Sequence, residues 1–405
     1  MMLKRPTTQR FEARKLAIVT SAVDVLNRKG IRGMTLGDVA ATLDLVPTAV
    51  IYYFKSKEEL AQACFLRAIE RYNDLLNIAE TGDTVLERLR RLIEAYIAFK
   101  SDVVAGNAED IAVFNDVRAL NADMVNAAYI AMYLRARSLL VGPETQRWSR
   151  LELNARTHLL ISEIFWIVAW IYRHDPEHYP RIANRMASMI AAGIAAPGTD
   201  WSPAALPSPA SEGAAAANEL FLRAATELIN EEGYVGASVE KISARLNVSK
   251  GSFYHHHETK EELVIACFER TFEVMRTLIR RAEEVGGSGY QVLANAAAAL
   301  VEYQMSGSAR LLRASAITST PESIQPQLLG EFDRISLRLA SLISDGIADG
   351  SLRPVDTNVA AQTLTGMINA ASELHHWARG ITAITAANAY VRPFFEGFLS
   401  PSDYS

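Results

Sequence analysis

The sequence has little sulfur chemistry to offer. Two cysteines in 405 residues exclude a disulfide-stapled secreted scaffold. Long apolar runs are missing too. The greasiest stretch, HLLISEIFWIVAWIY at 158–172, has 15 residues and contains Glu163, whereas a membrane helix needs about 20 apolar residues. It predicts a buried helix instead. MMLKRPTTQR at the start lacks the apolar core of a signal peptide, so the expected location is the cytosol, with no membrane contact. Catalytic signatures are absent: no phosphate-binding Gly-rich loop, no Gly-x-Ser-x-Gly, no His-Glu-x-x-His. The paired carboxylates Glu58-Glu59 fit a helix start. The expectation is therefore no enzyme, no cofactor and no metal. Charge is not extreme either. A net −5, with 49% hydrophobic and 21% charged residues, excludes a disordered or collagenous chain. It argues against indiscriminate nucleic-acid binding without excluding a local basic patch.

What the chain does have is a repeat. KEELAQACFLRAIE (57–70) and KEELVIACFERTFE (260–273) share nine of fourteen residues at an offset of 203. Extending that register to 15–70 against 218–273 gives 15 identities in 56 without a gap, against roughly three or four for random pairing at ordinary composition. Farther on, IYR (171–173) faces HWAR (376–379) at an offset near 205. A period of half the chain makes each unit long enough for a core of its own. Between them, APGTDWSPAALPSPASEG (196–213), with Pro197, Pro203, Pro207 and Pro209, reads as a semi-extended linker.

Apolar residues recur at three and four, and no segment alternates long enough for a strand, which predicts an all-α protein of two tandem units. Breaks are expected at Gly30, Gly33, Gly82, Gly106, Gly142-Pro143, Asp175-Pro176 and Tyr179-Pro180, and again at Gly233, Gly286 to Gly289, Gly307, Pro321, Gly350 and Gly380. In the first unit a helix over about 12–29 ends at Gly30. Thr35 caps a short helix, with Asp38 near capping-box spacing. Pro47 then opens a second short helix that runs to about Phe54, and a fourth starts near Lys57. Two short helices on a supporting third form a helix-turn-helix, whose outer helix is free to enter a major groove. The second unit repeats the layout. Ser238 caps the first short helix, Ser249 caps the outer one, and Lys250, Gly251, Ser252, Tyr254, His255 and His256 populate it.

TLGDVAATLDLVPTAVIYYFKSKEEL and SVEKISARLNVSKGSFYHHHETKEEL resemble the DNA-binding segment of the TetR/AcrR family of bacterial transcription regulators, over about 50 residues in each unit. The rest of each unit matches that family in length and helicity only. The resemblance implies a homodimeric repressor that leaves its DNA operator when a small apolar effector binds. Two units in one chain then imply an intramolecular pseudo-dimer, with further self-association open. By position, Thr35 and Ser238 would contact phosphate. Thr48, Ala49 and Tyr52 would face the groove in the first unit, and Lys250, Gly251, Ser252 and His255 in the second. Tyr53 and His256 would lie at the backbone, and Lys57 and Lys260 would hold phosphates. Val46-Pro47 stands where the family usually has a Ser cap, Ile51 where it has Tyr, and His257 where it has Phe. The implied division is 11–71 and 214–274 for the heads, 72–195 and 275–400 for the ligand-binding and dimer-forming bodies, and 196–213 for the linker.

Residues 1–60 carry ten Lys/Arg and six Asp/Glu, residues 214–263 five and eight, so unequal heads and an imperfectly palindromic operator are expected. The alternative is a ligand-sensing or partner-titrating pseudo-dimer in which one or both heads no longer bind DNA. Adjacent helical residues point in different directions, so His255-His256-His257 is not expected to bind metal, and His375-His376 fits a pocket or core. Cys64 and Cys267, each within Ala-Cys-Phe, fit buried structural positions. Phe165, Trp166, Trp170 and Tyr172 are placed on one long helix, as core or interface, with Trp166 also a ligand candidate. The other ligand candidates are Phe99, Phe114, Tyr129 and Tyr133 in the first body, and Tyr303, Arg310, Arg313 and Trp377 in the second.

Overall fold

The computed structural model describes residues 6–114, 117, 120–209, 214–247, 259–306 and 310–399. Among them the fold is helical. An antiparallel bridge between Ala195 and Leu352 stands outside the helices, and no described helix is long and apolar enough to cross a membrane.

The first unit consists of α1 (Pro6–Gly33), α2 (Leu36–Ala41), α3 (Pro47–Tyr53), α4 (Lys57–Ala79), α5 (Val85–Val104), α6 (Asp123–Ser138), α7 (Arg150–Trp166) and α8 (Tyr179–Ala192). The second consists of α9 (Ala214–Gly236), α10 (Val239–Arg245), α11 (Lys260–Val285), α12 (Gly289–Met305), α13 (Gln325–Ala348), α14 (Thr357–Ala370), α15 (Leu374–Trp377) and α16 (Ala383–Ala386). A π-helical turn, Ala387–Val391, then leads into α17 (Arg392–Glu396). Side-chain caps set many of the starts. Thr84 accepts from Glu87 N (3.1 Å), Ser288 from Gln291 N (3.3 Å), and Ser149 shares a capping box with Glu152.

Two readings of the sequence need correction. The first helix begins at Pro6. It bends at Gly30, whose φ of 64° is left-handed, and runs one more turn to Gly33. The break expected at Tyr179-Pro180 is the start of α8: a 3₁₀ turn ends at His178, and Pro180 sits in the first helical turn, where its missing N–H is harmless. The stretch 158–172 is not one helix. α7 ends at Trp166 and gives way to 3₁₀ turns at Ile167–Ala169 and Ile171–Arg173. A continuous helix would stack Trp170 over Trp166 on one face. The break instead buries Trp170 and Ile171 and leaves Tyr172 47% exposed.

One apolar core runs through both units. They join where α7 and α8 meet α14 and the segment 383–396. Their backbones come close at two glycines, Gly193 (φ 67°) and Gly397 (φ 93°), each ending the last helix of its unit. A Cβ on Gly193 would lie 2.1 Å from Phe395 O, and one on Gly397 would lie 2.5 Å from Ala191 O. Around them the hydrogen bonds are reciprocal. Ile194 N donates to Phe395 O (2.7 Å), and Phe398 N donates to Ile190 O (2.9 Å). The described part of the linker, 196–209, lies along the second unit, where Trp201 Nε1 donates to Asn388 Oδ1 (2.8 Å) and Ala204 N to Asn295 Oδ1 (2.7 Å).

Candidate nucleic-acid interface

In the first head, Thr35 and Asp38 close a capping box. Asp38 N donates to Thr35 Oγ1 (3.0 Å) and Thr35 N to Asp38 Oδ2 (3.1 Å). Lys29 Nζ, 2.8 Å from Asp38 Oδ1, holds that carboxyl below its ordinary range, helped by Thr35. Val39 and Ala40 are fully buried and fix α2 on the core. Asp44 then turns the chain at φ 53°, and α3 starts at Pro47 with no side-chain cap from Val46. Val50 and Phe54 anchor α3, which leaves Thr48, Ile51 and Tyr52 outward, Tyr52 66% exposed, with Ala49 and Tyr53 half-buried. Phe11 of α1 packs on Tyr53 at 4.8 Å between ring centroids and on Tyr52 at 6.0 Å. That contact sets α1, which carries Arg10, Arg14 and Lys15, beside the outer helix.

The second head keeps the cap and the turn. Ser238 Oγ accepts from Lys241 N (3.3 Å), Ile242 is fully buried, and Asn247 turns at φ 54°. Ser249, Lys250, Gly251, Ser252, Tyr254, His255 and His256 lie outside the described residues. The basic side chains of α10 are engaged within the head. Arg245 pairs with Glu231 (2.8 Å) and Glu227 (3.6 Å), and Lys241 pairs with Glu232.

Lys57 and Lys260 occupy matching positions, and neither points only outward. Lys57 Nζ donates to Arg32 O (3.0 Å) and Lys260 Nζ to Val235 O (3.3 Å), each closing the carbonyl end of its head's first helix. Lys260 also sits 4.3 Å from the Tyr234 ring centroid, and burial lowers its pKa.

The heads touch each other. Arg32 Nη1 lies 2.9 Å from Glu232 Oε2, and the guanidinium rests on Gly236, where a Cβ would come within 2.3 Å of Nη1. Each head is also tied to its own body by an asparagine amide. Asn27 Nδ2 donates to Ile111 O (3.0 Å) while its Oδ1 accepts from Val113 N (2.9 Å). Asn230 does the same with Leu311 O (3.0 Å) and Arg313 N (3.0 Å). Sequence reasoning missed this pair, although Asn27 and Asn230 are among the identities of the repeat.

The ligand candidates divide into several groups. Phe114 and Tyr129 meet at 5.0 Å, with Tyr72 and Phe165 completing an aromatic cluster. Tyr133 and Tyr129 also meet Trp377 of the second unit, at 3.6 and 5.8 Å. Phe99 joins that cluster through Tyr96 (6.3 Å), which stacks on Tyr72, and lies beside Arg71 (5.2 Å) and the buried Lys100, whose Nζ is 2.6 Å from Asp110 Oδ1. Trp166 is at the junction of the units, where a Cβ on Gly366 would meet its ring at 2.7 Å. Tyr303 Oη and Arg310 O accept from the buried Arg270 (2.8 and 3.1 Å), which also pairs with Glu219. Arg313 pairs with Glu373. Cys64 and Cys267 are buried, and burial pushes both thiols up to about 12, so neither carries appreciable thiolate near neutral pH.

The family model for bacterial regulatory proteins of the tetR family matches at 18–64 and at 221–267. The chain is 24% identical over 153 residues to the transposon Tn10 TetC protein of Escherichia coli, covering 36% of this chain and 73% of that protein. It is 30% identical over 131 residues to the HTH-type transcriptional repressor DhaR of Mycobacterium sp. (strain GP1), covering 32% and 66%. Among solved structures, a TetR family regulator, PfmR from Thermus thermophilus, aligns with 44% of this chain and 98% of its own at 23% identity and a TM-score of 0.37. With the family motif found once in each unit, the chain is a DNA-binding transcription regulator of the TetR type, not an enzyme, with two such units in one polypeptide.

Proposed function

We propose that the protein is a repressor that works as an intramolecular pseudo-dimer. It reads an imperfectly palindromic operator with two unequal heads and leaves it when a small apolar effector binds. The observation that carries this reading is the reciprocal docking around Gly193 and Gly397, with both heads in contact through Arg32 and Glu232. One chain thereby presents two heads side by side, as a palindrome-reading dimer does. The heads are 11–71 and 214–274, the bodies 72–195 and 275–400, and 196–213 links them.

Thr48, Ala49 and Tyr52 read the groove in the first half-site, and Thr35 and Tyr53 sit at the backbone. In the second, Lys250, Gly251, Ser252 and His255 read, while Ser238, Ser249, Tyr254 and His256 position. Pro47 starts the first reading helix. An ammonium has three donors, so Lys57 and Lys260 bind phosphate with those left free by their carbonyls. Internal pairing of Lys241 and Arg245 with glutamates favours a weaker second head. In the limit, that head has lost DNA binding and the chain senses ligand or titrates a partner.

Selection of bound duplexes from a random pool, with the mass of the complex measured, tests the reading. Two related half-sites on one chain are expected. Enrichment of a lone half-site leaves one reading head, and no enrichment at any salt defeats the proposal.

A further inference from the structure

The two sides of the junction between the units are not alike. Buried positions of α6 recur in α13 at the offset of 203 set by the heads: Val125 and Leu328, Met132 and Ile335, Ala136 and Leu339. In that register Tyr133 answers to Ser336. On one side of the junction, Tyr133 stacks on Trp377 from the other unit, with centroids 3.6 Å apart and planes at 18°. On the other side both partners of that stack are missing. Ser336 is small and turns its hydroxyl to Thr365 (3.3 Å). The residue matching Trp377 in the aligned IYR and HWAR segments, Tyr172, swings to Lys100, whose Nζ is 5.9 Å from its ring centroid. A cavity of about 290 Å³ is left there.

Its walls come from both units. Trp170 and His174 enter from the turns after α7, Ser336 and Leu337 from α13, and Asn358, Ala361 and Gln362 from α14. Arg173 and Asp333 pair across its rim. These groups choose a ligand class. The indole of Trp170, with Leu337 and Ala361, favours a flat apolar body. Arg173 and Asp333 neutralise each other, so a charged ligand finds no second Lys, Arg, Asp or Glu among the lining side chains. Ser336, Asn358 and Gln362 both donate and accept, which suits a neutral polar edge. The volume lies at the bottom of the usual range for ligand pockets, so the guest is small. We propose that this cavity is the effector site, taking one neutral planar aromatic molecule of one or two rings with an amide-like edge per chain. Binding across the junction changes how the units pack, and through the asparagine ties it changes how the heads are held.

This inference rests on the effector-responsive reading, and its first test is independent of DNA. Equilibrium dialysis of the full chain with indole-3-carboxamide is expected to show one saturable site. Ser336→Tyr, which rebuilds the filled side of the junction, is expected to weaken binding at least tenfold. Gln362→Ala, at a half-buried position and without added bulk, is expected to weaken the carboxamide about fivefold and leave indole itself unchanged. Absence of saturable binding, two sites per chain, tighter binding of indole-3-carboxylate or tryptamine, or wild-type binding by both variants would each overturn it. Operator affinity with and without the probe separates the two readings. Probe binding that Ser336→Tyr abolishes, with no change in operator affinity, would leave the cavity standing and remove its effector role.

Discussion

Asn27 makes the sharpest prediction, because its two hydrogen bonds are local, specific and repeated by Asn230. Asn27→Ala deletes the donor to Ile111 O and the acceptor for Val113 N, at 3.0 and 2.9 Å. A neutral hydrogen bond contributes about 1 kcal/mol net, and a buried backbone group left without a partner costs about 1–3. Ile111 is 4% exposed, so water replaces the lost donor poorly, and the expected loss is about 2–3 kcal/mol for the first unit. Urea denaturation measures that sum, and hydrogen exchange localises it. Val113 N–H is held by Asn27 Oδ1, whereas Ile111 N–H is held by Asp110 Oδ1 (2.8 Å). Asn27→Ala should therefore speed exchange at Val113 by about ten- to a hundredfold and spare the matching amide, Arg313. Asn230→Ala should do the reverse. The two amides share no partner, so the double variant should be additive within about 0.5 kcal/mol. Unchanged protection at Val113, or a loss below about 0.5 kcal/mol, would refute the claim that this amide ties head to body.

Gly193→Ala should destabilise the junction by more than about 2 kcal/mol in thermal unfolding, because the added Cβ meets Phe395 O at 2.1 Å from a left-handed backbone. Arg32→Ala should change stability by less than about 1 kcal/mol, since the Arg32–Glu232 pair is 40% and 25% exposed. The same variant should broaden the spacer lengths recovered in operator selection, and an unchanged distribution would show that the pair does not set head spacing. Lys57→Ala should weaken binding to every duplex and flatten the salt dependence by about one unit; a full slope would reduce Lys57 to holding Arg32 O. Burial raises the Glu163 pKa well above 4.5. A carboxyl of that kind holds its proton more firmly when folded, so its contribution is whole below about pH 4.5 and is lost as pH rises toward the higher value. Glu163→Gln should thus gain about 1.4 kcal/mol per pH unit across that window, and a stability difference that is flat with pH would count against it.

The parts legible in the sequence were those with short-range causes. Thr35 with Asp38, Ser238, Gly30 and Gly233 each act within a turn or two of chain, and the repeat made each a paired observation. What escaped depended on partners distant in sequence. Lys57 and Lys260 read as phosphate holders, yet their ammonium groups reach carbonyls 25 residues earlier, which no local pattern announces. Trp377 belongs to the second body by sequence, but its ring lies on Tyr133 of the first. Asn27 and Asn230 were visible as an identity. Their partner segments, 111–113 and 311–313, are offset by 200 where the helices are offset by 203, so the fixed register hid the contact. The cavity beside Ser336 appears only once Tyr133 and Ser336 are seen at matching places on two packed helices.

Joining two units in one chain changes what an interface can do. In a symmetric homodimer every contact across the dyad occurs twice, so a residue cannot be tuned on one side alone. Here Lys29 pairs with Asp38, and at the matching positions Glu232 pairs with Lys241, with the signs exchanged. Each head keeps an ion pair between its first two helices, but the first presents a cation where the second presents an anion. Arg32 uses that difference to reach Glu232. The mirror contact would require Val235 to meet Lys29, which offers no attraction. One side of the dyad is therefore tied and the other is not, as one side of the body junction is filled by Tyr133 and Trp377 and the other is open at Ser336. On the reading proposed above, that asymmetry predicts unequal half-sites and one effector per chain, and equal affinity for a perfectly symmetric operator would count against it.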